Sequence, residues 1–433
     1  MATPRTSLRS FLVTAKDAIR IAIDNSQKIT FVIGNESADL DSLTCSILYA
    51  YLRSSCPPPH AFTPLYVPVA NIPSSGIQLR PELLALLPRA NIEAKHLITL
   101  DDVPELSSIK SKLRPENTKW ILVDHNALQG TLSSIYSERV GGVIDHHDEE
   151  NKVPADTGDE PRIIEKAGSC TSLVTEYCRG AWDTISDTAL SSGAAHAQGD
   201  EAVEDGAVRR LWDAQVAQLG LASILIDTSN LQSKEKTTGH DVTAAEYLEA
   251  KIMACTQVAG GFDRTKFFQQ LDTAKRDIGG LKLQDILRKD YKQWTEGGLK
   301  LGISSVVKSL KFLQEKAQAE ASGRSTADVF HSAIRQFADD QELDMYAIMT
   351  TSTSPEGSFQ RELLLWAFTA DTIATARKFE TNAAGELGLE SWHGPDGRSH
   401  DEDGEKDWRK VWRQRSVQHS RKRVAPLLRE AMS

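Results

Sequence analysis

The sequence predicts an α/β fold: a doubly wound, mostly parallel sheet in the first half, followed by a smaller α+β unit. Three observations predict it. Over residues 28–148 short apolar runs alternate with polar or helical stretches, the rhythm of β-α units built into a parallel sheet. Three of those runs end in clusters of acids and imidazoles, as strands do when a ligand crevice lies at their carboxyl ends. At 433 residues the chain also exceeds one ordinary core, so two domains are expected.

Taken in order, residues 7–24 space Arg and Lys among apolar residues. Asp17 and Asp24 oppose a targeting presequence, and a surface helix of the first domain is expected. Strands are predicted at 29–33, 65–69, 96–100, 120–123 and 140–144, with helices at 42–52 and 81–87. A helical section follows at 171–179, 208–226 and 242–255. Inside it, residues 183–206 are rich in Ser, Gly, Ala and acids, which predicts a mobile surface insertion. The stretch 255–264, with Gly260-Gly261, reads as an interdomain linker and divides the chain into 1–258 and 265–433. Beyond it helices are predicted near 264–274 and 298–314, although 299–307 fits a strand equally well. Clearer strands lie at 345–350 and 363–368. Residues 382–407 are polar, Gly-rich and acidic, so a loop is expected.

Composition narrows the class. A hydrophobic content of 40% with 25% charged residues is that of an ordinary globular protein. No apolar run approaches the ~20 residues needed to span a bilayer, and the N-terminus lacks the apolar core of a secretory signal. Five scattered cysteines without a Cys-x-x-Cys pair suit a reducing compartment and oppose a zinc ribbon or disulfide framework. A cytoplasmic location without a membrane partner is expected. The net charge of −10 opposes a nucleic-acid coat but leaves an anionic substrate open.

The chemistry resides in the strand-end clusters: Asn35-Glu-Ser-Ala-Asp39-Leu-Asp41-Ser42, Asp124-His125-Asn126 and Asp145-His146-His147. Asp39-x-Asp41 places two carboxylates at the start of a helix, where capping accounts for them as well as ligation does. The three clusters together are another matter, because converging acids repel unless a cation lies between them. Asp227 is a fourth acid, at the end of an apolar helical run, where a carboxylate opposes the helix dipole and a bound cation would remove the conflict. Asp39, Asp41, Asp124 and Asp227 carry enough charge to balance two divalent cations. Oxygen ligands with one or two imidazoles suit Mg²⁺ or Mn²⁺, and such a pair can clamp a phosphoryl group. Asp145 then serves to orient imidazoles. His125 and Asn126 either line the site or hold structure. Residues 408–429 contain many Arg and Lys, in an acidic chain. They form either a solvated amphipathic helix carried on Trp408, Val411 and Trp412, or a phosphate-binding surface.

These motifs resemble the DHH phosphoesterase superfamily, in the branch that holds family II inorganic pyrophosphatases and fungal cytosolic exopolyphosphatases. The likeness extends over Gly168-Ser-Cys-Thr-Ser-Leu173, Asp227-Thr228 and a C-terminal DHH-associated domain. It implies a catalytic DHH domain, a substrate-binding second domain and an active site in the cleft between them. It further implies that Asp39 and Asp124 bind one metal, and that Asp41, Asp124, His146 and Asp227 bind a second, with Asp124 bridging. His147 would meet the substrate phosphate. Asp290-Tyr-Lys292-Gln-Trp294 is similar to the segment bearing a phosphate-binding lysine, and Ser420-Arg421-Lys422-Arg423 is similar to an Arg-Lys phosphate clamp.

Where the pyrophosphatases of this branch carry histidine, the chain has Asn35. Its amide oxygen is a weaker and harder candidate ligand, which should shift preference toward Mg²⁺. The expected function is that of a monomeric exopolyphosphatase with two divalent cations, Mg²⁺ or Mn²⁺. It would release terminal phosphate from inorganic polyphosphate by attack of a hydroxide shared between the metals. One alternative is a related phosphohydrolase acting on pyrophosphate, nucleoside tetraphosphates or cyclic nucleotides. Another is a catalytically silent phosphate-binding scaffold.

Overall fold

Every residue of the strand Ile29–Ile33 (β1) is buried, as befits a central strand of a parallel sheet covered on both faces. Around it the computed structural model arranges β2 (Tyr66–Val69), β3 (Thr118–Val123), β4 (Val140–Asp145) and β5 (Arg162–Ile164) in the order β2-β1-β3-β4-β5. All pairings are parallel. The chain steps from β1 to β2 on one side and returns to β3 on the other. The strand order therefore reverses between β1 and β3, where their carboxyl ends leave a crevice. The structure describes residues 5–105, 107–196, 200–321, 329–354, 356–393, 401–404 and 407–432. It divides into two units, Met1–Lys275 and Arg276–Ser433.

In the first unit, the helix Leu8–Asn25 buries Leu8, Phe11, Leu12, Ala15, Ile19 and Ala22, an apolar stripe at helical spacing. The helix Leu40–Ser55 is buried almost throughout, packed by the helices Cys170–His196 and Asp200–Asp227. Gly239–Met253 completes that layer. The helix Arg264–Arg276 sets Phe267 and Leu271 into the same core.

Several expectations need correction here. At 96–100 no strand forms: Thr99 bridges Ala70 at a single point. Its N–H then turns to the Asp102 side chain at 2.9 Å, a side-chain bond that competes with the sheet ladder. The expected insertion at 183–206 is crossed by Cys170–His196 and Asp200–Asp227, in keeping with its Ala and Glu content; residues 197–199 lie outside the described ones. The expected linker 255–264 holds a short helix, Thr256–Ala259, and Val258 and Phe262 pack against the first core.

The second unit is a mixed sheet of β6 (Tyr291–Glu296), β7 (Leu299–Val306), β8 (Met345–Thr353), β9 (Phe359–Ala367), β10 (Leu389–Ser391), β11 (Glu402–Asp403) and β12 (Trp408–Gln414). The order is β10-β12-β9-β8-β7-β6, with β11 pairing β12. Residues 299–306 are thus strand, because Gly297 and Gly298 at φ 58° and 85° close a two-residue hairpin from β6. Alternation along β8 sends Met345, Ala347 and Met349 into one core and Tyr346 and Ile348 into another. The helices Ala370–Leu387 and Arg421–Met432 cover the first face, and Leu310–Glu320 and Val329–Asp340 the second. Residues 382–407 are not simply loop: the helix runs to Leu387, Gly388 caps it at φ 59°, and β10 and β11 follow. Residues 394–400 and 405–406 of that stretch lie outside the described ones. Trp408, Val411 and Trp412 belong to a strand and not to a terminal helix; Trp408 and Trp412 enter one core and Val411 the other. Among the described residues, no helix is long and apolar enough to cross a membrane.

Candidate metal centre

The crevice between β1 and β3 is lined by the two loops that leave those strands. After β1 the chain folds tightly over the helix that follows. A Cβ on Gly34 would lie 2.6 Å from Ser42 Cβ, so only glycine permits the approach. Asp39 caps the helix Leu40–Ser55, its Oδ1 accepting from Ser42 N at 3.0 Å. Arg80, only 3% exposed, donates to the carbonyls of Ser37, Ala38 and Gly76. A buried guanidinium thus satisfies backbone groups that the loop would otherwise leave without partners.

Asp124 follows β3 with φ 60°, a left-handed conformation that costs on the order of 1 kcal/mol and gathers at functional sites. Its N–H still bonds Ile144 O at 3.0 Å, which keeps the loop registered to β4. Oδ2 accepts from Asn35 Nδ2 at 2.7 Å and Ser42 Oγ at 2.6 Å. Oδ1 is left to face His146 Nε2 at 3.2 Å and His147 Nδ1 at 3.7 Å. The donor atoms of Asp124, His146 and His147 all lie within 4.8 Å of one another.

The histidines are oriented from behind. His146 Nδ1 lies 3.0 Å from Ala167 O, a carbonyl that only accepts, so Nδ1 carries a proton and Nε2 is the atom turned toward the carboxylates. Asp41 Oδ2 is 4.0 Å from the same Nε2. Asp145 Oδ1 accepts from His147 Nδ1 at 2.7 Å and from the N–H groups of His146 and His147. Asn126 Nδ2 donates to Asp145 Oδ2 at 2.6 Å, so Asn126 holds structure. Burial pushes the Asp145 carboxyl up, but His147, His146 and Asn126 together hold it well below the usual carboxylate range.

The other carboxylates move the opposite way. Burial, with Asp39 and Asp41 nearby, pushes Asp124 up to about 6, against the pull of His146. Burial and then Asp41 push Asp227 up to about 7, with Lys275 pulling down and Asp39 up. Asp227 ends its helix just before Ser229, Asn230 and Leu231, all left-handed at φ 52°, 60° and 63°. These carboxylates are thus destabilised by one another, and His146 Nε2 stands 3.2 Å from one of them. A divalent cation fits that donor set: hard oxygens with imidazole, and an excess of negative charge.

Asn35 departs from its expected part. Its Oδ1 accepts from Ser37 N at 2.9 Å and Ser37 Oγ at 2.6 Å. The amide nitrogen, not the oxygen, reaches toward the site, and it orients Asp124.

Comparison with known proteins places the fold. The DHH family, N-terminal domain, matches residues 29–197, and the DHHA2 domain matches residues 269–431. A Schizosaccharomyces pombe protein named "Putative exopolyphosphatase" is 32% identical over 429 residues, covering 99% of this chain and 96% of that protein. The chain belongs to the DHH family. A manganese-dependent inorganic pyrophosphatase of Methanothrix thermoacetophila is 23% identical over 332 residues, 76% of this chain and 83% of that protein. The crystal structure of a Methanococcus jannaschii "putative family II inorganic pyrophosphatase" shares the fold at a TM-score of 0.51 and 19% identity, covering 93% of this chain and 99% of the other.

In the DHH half, residues that the motifs did not assign a role hold the centre together. Ser169 Oγ, Thr171 N and Thr171 Oγ1 donate to Asp41 Oδ1 at 2.7, 3.0 and 2.6 Å, and Cys170 N donates to Oδ2 at 2.7 Å. Their signal in the sequence was the Gly168-Ser-Cys-Thr-Ser run, legible as likeness but not as chemistry. Nothing in the sequence tied Arg80 or Asp241 to the site, since the partners that do so, Ser37 and Ala38 for Arg80 and Gly168, Ser169 and Ser172 for Asp241, are distant in sequence. In the DHHA2 half, Lys292 is half-buried on β6, and Arg421 and Lys422 open the terminal helix. Arg421 bonds Asp290 O at 2.9 Å and Asp290 Oδ1 at 2.6 Å, which ties the start of that helix to the residue preceding β6. Lys422 is exposed.

Proposed function

We propose that the protein is an exopolyphosphatase, releasing orthophosphate from the ends of inorganic polyphosphate with two divalent cations, Mg²⁺ or Mn²⁺. The observation that carries the reading is the convergence of Asp124, His146 and His147, whose donor atoms all lie within 4.8 Å of one another, beside carboxylates that repel one another. Cations held by Asp39, Asp41, Asp124, His146 and Asp227 would supply an activated water and neutralise charge on the transferring phosphoryl group. The name of the S. pombe relative supports the substrate class, and the manganese-dependent relative supports the cofactor class.

The chain's own groups do the rest. Asp145 holds His147 through Nδ1, so Nε2 is the atom left for the substrate, and when the ring is protonated it can donate to a phosphoryl oxygen. His147 has a quarter of its side chain exposed, as a substrate-facing group requires. Lys292, Arg421 and Lys422 would neutralise the terminal and next phosphates. The leaving chain departs as a phosphate oxyanion and needs little protonation. Unpaired cysteines support a cytoplasmic location, and a net charge of −10 supports a partner set without nucleic acid; a monomer without a membrane partner belongs to the same reading.

A second reading, hydrolysis of pyrophosphate, is favoured by the shared pyrophosphatase fold and opposed by Asn35, which offers no imidazole. Phosphate release across polyphosphates, pyrophosphate, nucleoside tetraphosphates and cyclic nucleotides, with Mg²⁺ and Mn²⁺ compared, separates these. Long polyphosphate should be cleaved and pyrophosphate poorly. Release from pyrophosphate alone would favour the second reading, and no release from any substrate would favour a silent scaffold.

A further inference from the structure

Asp241 belongs to no expected ligand set, yet its carboxylate is fully buried and richly bonded. Oδ2 accepts from Gly168 N at 2.9 Å, Thr238 N at 2.7 Å and Thr238 Oγ1 at 2.8 Å. Oδ1 accepts from Ser169 N at 3.1 Å and Ser172 Oγ at 2.7 Å. The Thr238 bonds form the capping box of the helix Gly239–Met253. The other three serve no helix of Asp241's own. They grip the 168–172 turn from behind.

The front of that turn faces the metal centre. It supplies the Ser169, Cys170 and Thr171 donors to Asp41. Immediately before it, Ala167 O fixes the His146 ring. Gly168 makes the fit possible: a Cβ there would lie 2.7 Å from Thr228 Cγ2, next to Asp227, and 2.8 Å from Asp241 Oδ2. One turn therefore touches Asp241 on one side and the supports of three candidate ligands on the other.

We infer that Asp241 is a positioning residue of the metal centre, setting how the 168–172 turn presents its donors to Asp41 and the Ala167 carbonyl to His146. It thereby tunes the cation affinity of a site it does not touch. The inference rests on the metal reading above. A purely capping role would make Asp241 matter to the helix and to stability alone.

The test uses the full chain freed of metal with a chelator and titrated with Mn²⁺, the unbound ion being followed by electron paramagnetic resonance. Melting of each metal-free variant is recorded in parallel. Asp241→Asn should weaken Mn²⁺ binding by roughly 10–100-fold, the usual cost of losing a group that orients ligands. Ser172→Ala, which touches only the turn side, should weaken it by about tenfold. Thr238→Ala, which touches only the cap side, should lower the melting temperature while changing Mn²⁺ binding by no more than about twofold. Unchanged Mn²⁺ affinity in Asp241→Asn would overturn the inference. So would equal weakening by Ser172→Ala and Thr238→Ala at equal loss of melting temperature. Should Asp241→Asn fail to fold, that second comparison decides alone. Wild-type protein that binds no Mn²⁺ would overturn the metal reading itself. Wild-type binding abolished by Asp124→Asn secures that reading, so the two failures stay distinct.

Discussion

Asn35 donates its amide to Asp124 Oδ2 at 2.7 Å, so a residue of the loop after β1 steers the residue that follows β3. With Ser42 on the same oxygen, Asp124 is left to present Oδ1 to His146. Asn35→His would replace this amide with an imidazole, a softer donor able to ligate directly. Mn²⁺ and Co²⁺ binding should tighten relative to Mg²⁺ by about tenfold, and pyrophosphate cleavage should rise relative to polyphosphate. Side-by-side metal titrations and phosphate-release assays check this; an unaltered metal preference would contradict it.

Asp124→Asn should act oppositely on function and stability. Polyphosphate turnover should fall by roughly 10²–10³-fold or more, as when a key charge-stabilising group is lost. The metal-free variant should nevertheless melt higher at pH 8, because an amide has no charge to desolvate where burial and neighbouring acids already penalise the Asp124 carboxylate. Near-normal turnover would remove Asp124 from the centre. A lower melting temperature would contradict the electrostatic account.

The pH dependence of stability follows from the same groups. Asp124 and Asp227 lie at about 6 and about 7, both above the ordinary 3.8, so the folded chain binds their protons more tightly than the unfolded chain does. Their contribution is fully present below about 4 and is lost as pH rises through about 6 to 7. Asp145 works in reverse, its contribution being lost only as pH falls below the ordinary value. Chelated protein should therefore be less stable at pH 8 than at pH 5, and saturating Mn²⁺ should restore it at pH 8. Thermal melts with chelator and with Mn²⁺ measure this. If Asp124→Asn leaves the pH slope of the chelated protein untouched, the assignment of that slope is wrong.

Arg421 is bound to Asp290, so its loss also changes the surroundings of β6 and Lys292. Arg421→Ala with Lys422→Ala should raise KM for long polyphosphate more than it lowers kcat, and should flatten the salt dependence of KM. Steady-state kinetics at two ionic strengths test it. An unaltered KM would return these residues to a solvated helix end.

Much of this was legible locally. The runs at 29–33, 120–123 and 140–144 became β1, β3 and β4 because consecutive apolar residues suit strands buried on both faces. Strand-end acids point to a crevice because ligands in such sheets bind outside the carboxyl ends of the strands. The stretch at 96–100 misled because side-chain bonds from Asp102 outbid one lone bridge. At 183–196 and 200–206, the Ser and Gly content disguised the helices that cross them.

Residue order alone set acids and imidazoles at strand and helix ends, Asp39, Asp41, Asp124, His146 and Asp227 among them, as candidates for a cation. Tertiary structure alone decided how they are held. Asn35 turned from candidate ligand to hydrogen-bond donor because Ser37 occupies its oxygen. Arg80 and Asp241 emerged as supports only once distant backbone groups had been brought to them. A ligand's element type can be written in a short motif, but a supporting bond joins groups that only the folded chain makes neighbours.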